Sequence, residues 1–374
     1  MNRKSKDTPP VRSELELMVP YEPGKPEEEI MREYGLEERP VKLASNENPY
    51  PPPEDVIKAF REQGEHLNRY PDGGCFYLKE AIADRYDRSP EEVVVGGGSD
   101  EVLDCLGKTM LSPGDEVLAP WPGFIRYKMI AQMMGATTVN IPTGPEMNIN
   151  LDELLESVSE RTRWICLPNP NNPTSRYVTE SDLIETIGQI PDHVTIIMDE
   201  AYFEFMNQDD YPDGLKVAKR FPGKTIIVLR TFSKAFGLAG LRVGYGLMSP
   251  ELAREIDKVR PPFNVTRPAQ EAARMALKNP SYVEEIRKKI HEERQRITRE
   301  LENRAIDFIS PSANFLLFQP PGTDSGREFC ERCMEKGVIL RPMDPYELPE
   351  YVRLTVGTPE ENDRFFHVLD GFTR

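Results

Sequence analysis

The sequence predicts an α/β protein: a three-layer, doubly wound, mostly parallel sheet, followed by a smaller α+β domain at the C-terminal end. Three observations carry that reading. Apolar runs of strand length alternate with helix-length stretches over the first two-thirds of the chain, which is the pattern of βα units. Past the Pro261-Pro262 break the pattern changes to helical regions and short, separated strands. At 374 residues the chain also exceeds one typical domain, so two lobes sharing a site are expected.

Taken in order, the opening Met1-Asn2-Arg3-Lys4-Ser5-Lys6 is basic and leads into no hydrophobic stretch. A disordered end is expected there, not a signal peptide. Pro49–Pro53 is short enough to be a turn and linker. Strands are expected at Val93–Val95, Glu116–Ala119, Trp164–Leu167, Thr195–Met198 and Thr225–Leu229. Helices are expected at Glu101–Met110, Ile125–Met134, Leu151–Val158 and Glu180–Ile187. From Tyr282 to Asn303 the charge pattern is that of a long helix with a solvated face. Phe315–Phe318, Val338–Arg341 and Tyr351–Val356 read as short strands of the smaller lobe, and there is no internal repeat. The expected division is an N-terminal arm over 1–42 packing on the small domain, a large domain over 43–262 and a small domain over 263–374.

Bulk properties narrow the function. Lys and Arg number 47 against 63 Asp and Glu, a net charge of −16. That balance argues against nucleic acid or an anionic membrane as partner, while a local arginine cluster can still serve an anionic substrate. No apolar run approaches the roughly 20 residues a membrane span needs, so the cytoplasm is the expected compartment. Cys330 and Cys333 have a spacing found in redox and zinc sites. No second pair accompanies them, Gly326–Lys336 reads as an amphipathic helix, and the histidines are scattered. No metal is expected.

The most informative segment is Thr231-Phe232-Ser233-Lys234-Ala235-Phe236-Gly237-Leu238-Ala239-Gly240-Leu241-Arg242. Lys234 follows a buried strand and precedes a turn rich in glycine and alanine. An amine held among apolar and small groups loses hydration, which favours its neutral, nucleophilic form. Ser233 and Arg242 supply the hydroxyl and guanidinium that a phosphate monoester needs. Together they point to a Schiff base with a phosphorylated aldehyde, as in the binding of pyridoxal phosphate. A strand-end lysine in a basic turn is the plainer alternative.

The apolar strand Thr195-Ile196-Ile197-Met198 ends in Asp199-Glu200-Ala201-Tyr202. A carboxylate at the carboxyl end of a buried parallel strand faces the crevice where open α/β sheets bind ligands. Asp199 is the candidate anion for a protonated pyridine nitrogen, and Tyr202 for its ring hydroxyl; helix capping is the other role open to Asp199. The turn Gly96-Gly97-Gly98-Ser99-Asp100 joins a strand to a helix, so its N–H groups can hold a phosphate.

With these residues in place, the chain resembles the fold-type I pyridoxal phosphate aminotransferases, and within them the histidinol-phosphate aminotransferase group. The resemblance rests on segments in one order along nearly the whole chain. These are Leu43-Ala44-Ser45-Asn46-Glu47-Asn48-Pro49, Asn68-Arg69-Tyr70-Pro71-Asp72, Gly97-Gly98-Ser99-Asp100-Glu101 and Asn171-Asn172-Pro173-Thr174. The Asp199 and Lys234 segments follow, then Val352-Arg353-Leu354-Thr355-Val356-Gly357-Thr358. One departure is visible: Ser175 stands where the family usually has glycine, which implies a slightly different turn beside Asn172.

The resemblance implies a catalytic set of Lys234, Asp199 and Tyr202. It implies cofactor contacts from Ser99, Asp100, Thr231, Ser233 and Arg242, from Phe124 stacked on the pyridine, and from Asn172 on the ring hydroxyl, with a cis Asn-Pro bond a candidate there. An aromatic at a helix start, such as Phe124, is otherwise a core residue. It also implies a homodimer in which Tyr70 reaches the neighbouring subunit's cofactor phosphate. On the substrate side it implies Asn46, Arg353 as the anion clamp, Arg341 as a second cation and Tyr21 from the N-terminal segment. Arg341 paired with a local acid such as Asp344 is the plainer alternative. The implied reaction exchanges an amino group between L-histidinol phosphate and 2-oxoglutarate, in histidine biosynthesis. An aromatic aminotransferase and a phosphothreonine decarboxylase of the same fold stay open, as does a non-catalytic sensor domain.

Overall fold

The computed structural model describes residues 11–20 and 24–372. The basic opening Met1–Lys6 and Tyr21 lie outside the described residues. In chain order the first strands are β1 (Val41–Lys42), β2 (Val93–Gly96), β3 (Glu116–Trp121), β4 (Thr137–Pro142), β5 (Thr162–Pro168) and β6 (Thr195–Asp199). They are followed by β7 (Ile226–Thr231), β8 (Gly244–Leu247), β9 (Phe315–Phe318), β10 (Val338–Ile339), β11 (Arg341–Pro342) and β12 (Val352–Thr355).

Strands β2 to β8 form one sheet in the order β2-β8-β7-β6-β5-β3-β4. Every neighbouring pair is parallel except those of β8, which runs antiparallel to β2 and β7. Strands β2 and β6 are buried at every residue. Helices cover both faces, so these strands read as continuous apolar runs without alternation. The expected strands therefore hold: four are extended by one to three residues, and β7 begins one residue later and ends two later than expected. Two further strands were hidden from the sequence pattern. β4 is an edge strand of mixed exposure, and β8 contains Gly244 and Gly246. A Cβ on Gly244 would lie 2.3 Å from the Ser99 nitrogen, so the strand gives up its side chain to the turn that enters the next helix.

The helices that frame this sheet begin with α1 (Glu27–Tyr34), α2 (Glu54–Glu62), α3 (Phe76–Tyr86), α4 (Ser99–Met110), α5 (Arg126–Met133), α6 (Leu151–Glu156) and α7 (Glu180–Gln189). The rest are α8 (Gly214–Lys219), α9 (Pro250–Asp257), α10 (Arg267–Leu277), α11 (Pro280–Asn303), α12 (Gly326–Met334) and α13 (Pro359–Leu369). The expected helices from α4 to α7 are present, while α1, α2, α3, α8, α9 and α13 were not among the expected helices. Helix α10 packs on α2 and α3. Helix α11 buries Val283, Ile286, Ile290, Arg294, Ile297 and Leu301 along one face, the three-to-four-residue spacing of an amphipathic helix. Its other face is laced by ion pairs such as Lys289–Glu285 and Arg296–Glu293.

Beyond α11, β9, β11 and β12 form an antiparallel sheet in the order β11-β12-β9. The run Val338–Arg341, expected as one strand, is two. β10 pairs in parallel with β1, and after Leu340 the chain passes to another sheet, where β11 pairs with β12. Ile30 of α1 packs with Ala44 and Ile339, which seats the N-terminal helix against these strands. Cys330 and Cys333 are buried in α12, as free thiols. No helix of the described residues is long and apolar enough to cross a membrane.

Candidate active site

The carboxyl ends of β5, β6 and β7 converge with the β2–α4 turn and with β12 around a cavity of about 520 Å³. That is the crevice position at which open α/β sheets bind ligands. Lys234 lines it, three residues past β7, and its Nζ donates to the Ser45 carbonyl at 3.0 Å. Burial, then the nearby Arg353 charge, hold its ammonium pKa down to about 7. Near neutral pH a large fraction of this amine is therefore unprotonated.

Asp199, the last residue of β6, is 6% exposed. Burial raises its carboxyl to about 6, opposed by the hydrogen bond that Tyr127 Oη donates to Oδ2 at 2.8 Å. Among the described residues no cationic side chain forms an ion pair with it. A carboxylate so placed is stabilised by any cation brought into the cavity beside it. Tyr202 is buried one turn beyond, its phenol pushed up to about 12 mainly by burial. It accepts from Asn46 Nδ2 at 3.0 Å, and Asn46 is tied in turn to Thr355 of β12. The Lys234 Nζ lies 5.6 Å from the Tyr202 ring centre.

An anion cradle closes the other end. Helix α4 begins at Ser99 without a side-chain cap, leaving N–H groups at the positive end of a twelve-residue helix. Arg242 Nη1 donates to Ser233 Oγ at 3.1 Å, and the Thr231 hydroxyl accepts from the Ser233 N–H at 3.1 Å. Gly98, at φ +86°, closes the circuit: a Cβ there would meet Arg242 Nη2 at 2.7 Å. The Asp100 carboxylate accepts from Arg126 at 2.6 Å. Phe124 lines the cavity and meets Tyr127 edge to face at 5.6 Å.

On the small-lobe side, Arg353 is buried, with Nη1 donating to Asn172 Oδ1 at 2.6 Å and Nη2 to the Ala44 carbonyl at 2.7 Å. Asn172 precedes a cis proline bond, as expected. Arg341 is the register partner of Arg353 across β11 and β12, half-buried and on the cavity wall. Asp344, the acid considered as its partner, accepts from Arg327 at 2.6 Å. Ser175 has φ +60°. Of the sequence-derived candidates, Tyr70 lies apart, 77% exposed and stacked on Phe263 at 4.6 Å. Tyr21 is outside the described residues. Sequence reasoning missed Tyr127, Thr355, Arg126 and the Ser45 carbonyl. None had a readable signal: Tyr127, on the buried face of α5, reads as a core aromatic.

A lysine of depressed proton affinity, an acid awaiting a cation and an anion cradle around one cavity define a pyridoxal phosphate-dependent transferase. The chain belongs to the aminotransferase class I and II family, whose profile matches residues 38–369. It is 43% identical to histidinol-phosphate aminotransferase 2 of Carboxydothermus hydrogenoformans, covering 96% of this chain and 98% of that one. It is 38% identical to the histidinol-phosphate aminotransferase of Moorella thermoacetica, over 96% and 92% of the two chains. Among solved structures, the Sinorhizobium meliloti histidinol-phosphate aminotransferase in complex with pyridoxal 5′-phosphate superposes with a TM-score of 0.88 at 25% identity, covering 99% of each chain. The Thermus thermophilus aspartate aminotransferase with maleate shares the fold, with a TM-score of 0.83 at 23% identity over 98% of this chain and all of that one. The cofactor is pyridoxal 5′-phosphate, and this chain's residues fit it: Asp199 has no ion-pair partner among the described residues, and a side chain on Gly98 would press on Arg242 in the phosphate cradle.

Proposed function

We propose that this enzyme exchanges an amino group between L-histidinol phosphate and 2-oxoglutarate, as its relatives' names suggest, in histidine biosynthesis in the cytoplasm. The observation that carries the reading is the pair of register-matched arginines, Arg341 and Arg353, facing the same cavity as Lys234. Histidinol phosphate has no carboxylate, so its phosphate takes the place of one, and a doubly charged group favours a second cation. Bound pyridoxal phosphate supplies an electron sink at a protonated pyridine ring.

In this reading Asp199 keeps the pyridine nitrogen protonated, and Tyr127 keeps Asp199 in place. Asn172 and Tyr202 hydrogen-bond the ring hydroxyl, and Phe124 stacks on the ring. Ser99, Asp100, Thr231, Ser233 and Arg242 hold the cofactor phosphate. Lys234 would hold the cofactor, and its free amine would take the proton from the substrate carbon that bears nitrogen. Its low proton affinity suits it to that task at neutral pH. Asn46 contributes to the substrate pocket, and the domain division 1–42, 43–262 and 263–374 belongs to the same reading.

The test is to assay the purified protein with histidinol phosphate and with phenylalanine, each against 2-oxoglutarate. Turnover of histidinol phosphate with the higher kcat/KM is the expected result. Preference for phenylalanine favours the aromatic aminotransferase instead.

Tyr70 enters as a residue of the neighbouring site in a two-fold symmetric dimer. Its supports are its own exposure and its stacking on Phe263, itself 44% exposed. A stacked aromatic pair left open to solvent is a surface that a partner can cover. The protein is expected to sediment as a dimer at assay concentrations. A fully active monomer excludes this arrangement.

A further inference from the structure

Ser175 occupies a backbone conformation that side chains rarely adopt, and its hydroxyl has two partners across the lobe boundary. Its φ is +60°, in the left-handed region, and the residue is fully buried. A non-glycine residue persists in that region only where its surroundings hold it there. Ser175 Oγ accepts from the Ser312 N–H at 3.0 Å and from the Ala313 N–H at 2.8 Å. Its carbonyl also accepts from the Ser312 N–H, at 3.0 Å, and its own N–H donates to the Asn171 carbonyl at 2.8 Å.

The segment thus gripped is a junction. Arg294 of α11 donates to the Ser312 and Ala313 carbonyls, so one side of residues 312–313 is held by α11 and the other by Ser175. Asn314, the next residue, donates to the Asn46 carbonyl at 3.2 Å and accepts, through its own carbonyl, from the Val356 N–H at 2.9 Å. Strand β9 begins one residue later and pairs Leu317 with Arg353. At the other end, Ser175 lies three residues from Asn172, which accepts from Arg353 at 2.6 Å. One hydroxyl therefore joins the Asn172 turn to the strand pair that carries Arg353.

We infer that Ser175 is a positioning residue: it fastens the small lobe to the Asn172 turn and so sets the Asn172–Arg353 contact that shapes the cofactor and substrate-anion sites. The inference rests on the roles proposed above for Asn172 and Arg353. Glycine at this position satisfies the backbone but leaves the Ala313 N–H unpartnered and the two lobes joined by fewer bonds.

The test compares Ser175→Gly and Ser175→Ala holoenzymes with the parent and with Arg353→Ala. In both Ser175 variants KM for histidinol phosphate and for glutamate is expected to rise about tenfold, with a smaller fall in kcat. The pH at which the bound cofactor's visible absorbance changes is expected to shift, because Asn172 is loosened. Ser175→Gly is expected to melt close to the parent, since relief of the left-handed backbone offsets the lost bonds, and Ser175→Ala lower. Should Ser175→Ala fail to fold, Ser175→Gly carries the test alone. Parental KM values and absorbance titration in Ser175→Gly, whatever its melting temperature, overturn the inference and leave Ser175 a purely structural residue. If Arg353→Ala itself leaves both KM values unchanged, the functional reading fails and this inference with it. If Arg353→Ala raises them and Ser175→Gly does not, only the role of Ser175 fails.

Discussion

Replacing Lys234 with alanine is expected to lower turnover by a factor of at least about 10⁴, because it removes both a nucleophile and a proton carrier that no neighbour can replace. Asp199 is held by Tyr127, and the nearest arginines stay charged. Borohydride reduction of the parent holoenzyme is expected to fix the cofactor to Lys234. Recovery on any other lysine would contradict the assignment. The pH dependence has a definite sign. Burial lowers the Lys234 pKa from 10.5 to about 7 in the folded, cofactor-free protein. Between those two values the unfolded chain binds more protons than the folded one, so stability rises with pH across that window. Below about pH 7 the penalty is present in full. Lys234→Met is therefore expected to melt above the cofactor-free parent at and below pH 7, with the difference shrinking as pH approaches 10.5. A constant difference from pH 6 to 10 would show that Lys234 is not held neutral by the fold.

How much of this was legible in the sequence depended on whether a residue's partner was local. β6 and β7 could be read because a strand covered on both faces is apolar at nearly every position, and Asp199 and Lys234 could be read because they interrupt or follow such a strand. β8 could not. Gly244 and Gly246 are there because α4 and neighbouring side chains press on the strand, and glycine weakens every strand signal. The break at Leu340 was hidden for a related reason: Val338 and Arg341 both suit a strand, and only their separate partners, β1 and β12, divide them. Helices α2 and α3 pack on α10, more than 180 residues away, so the partner that gives them an apolar face is not local.

The site divides in the same way. Asn172, Arg242 and Arg353 were reached through ordered motifs. Tyr127 was not, because a tyrosine on the buried face of α5 looks like core until the helix is seen to lie over Asp199. Ser175 drew notice only as a departure from a glycine. Its two bonds to residues 312–313 join positions 137 and 138 apart in sequence, beyond the reach of any spacing rule.

The sharpest test of substrate choice separates Arg341 from Arg353. Arg353 is 6% exposed, and two of its nitrogens are committed, one to Asn172 and one to the Ala44 carbonyl. Its planar fork is thereby oriented before any ligand arrives. It lies close enough to Lys234 to depress that amine's pKa, so an anion bound to it sits near the reacting carbon. In the proposed reading, either substrate anion, the carboxylate of glutamate or the phosphate of histidinol phosphate, would meet Arg353. Arg341 stands beside it across β11 and β12, half-buried and on the cavity wall, where it can add a charge to the phosphate dianion. Loss of one charge-assisted contact costs roughly 1.5–3 kcal/mol, about 10- to 150-fold in binding. Arg341→Ala is therefore expected to raise KM for histidinol phosphate by a factor in that range, with much less change for glutamate. Arg353→Ala is expected to impair both substrates by at least as much, and Arg353→Lys to recover little, since an ammonium cannot hold Asn172, Ala44 and a ligand in the same plane. Steady-state kinetics on the two variants with both substrates decide the matter. Equal effects of Arg341→Ala on the two would mean that Arg341 only supports the strand pair, and the phosphate would then need another cation on the same wall.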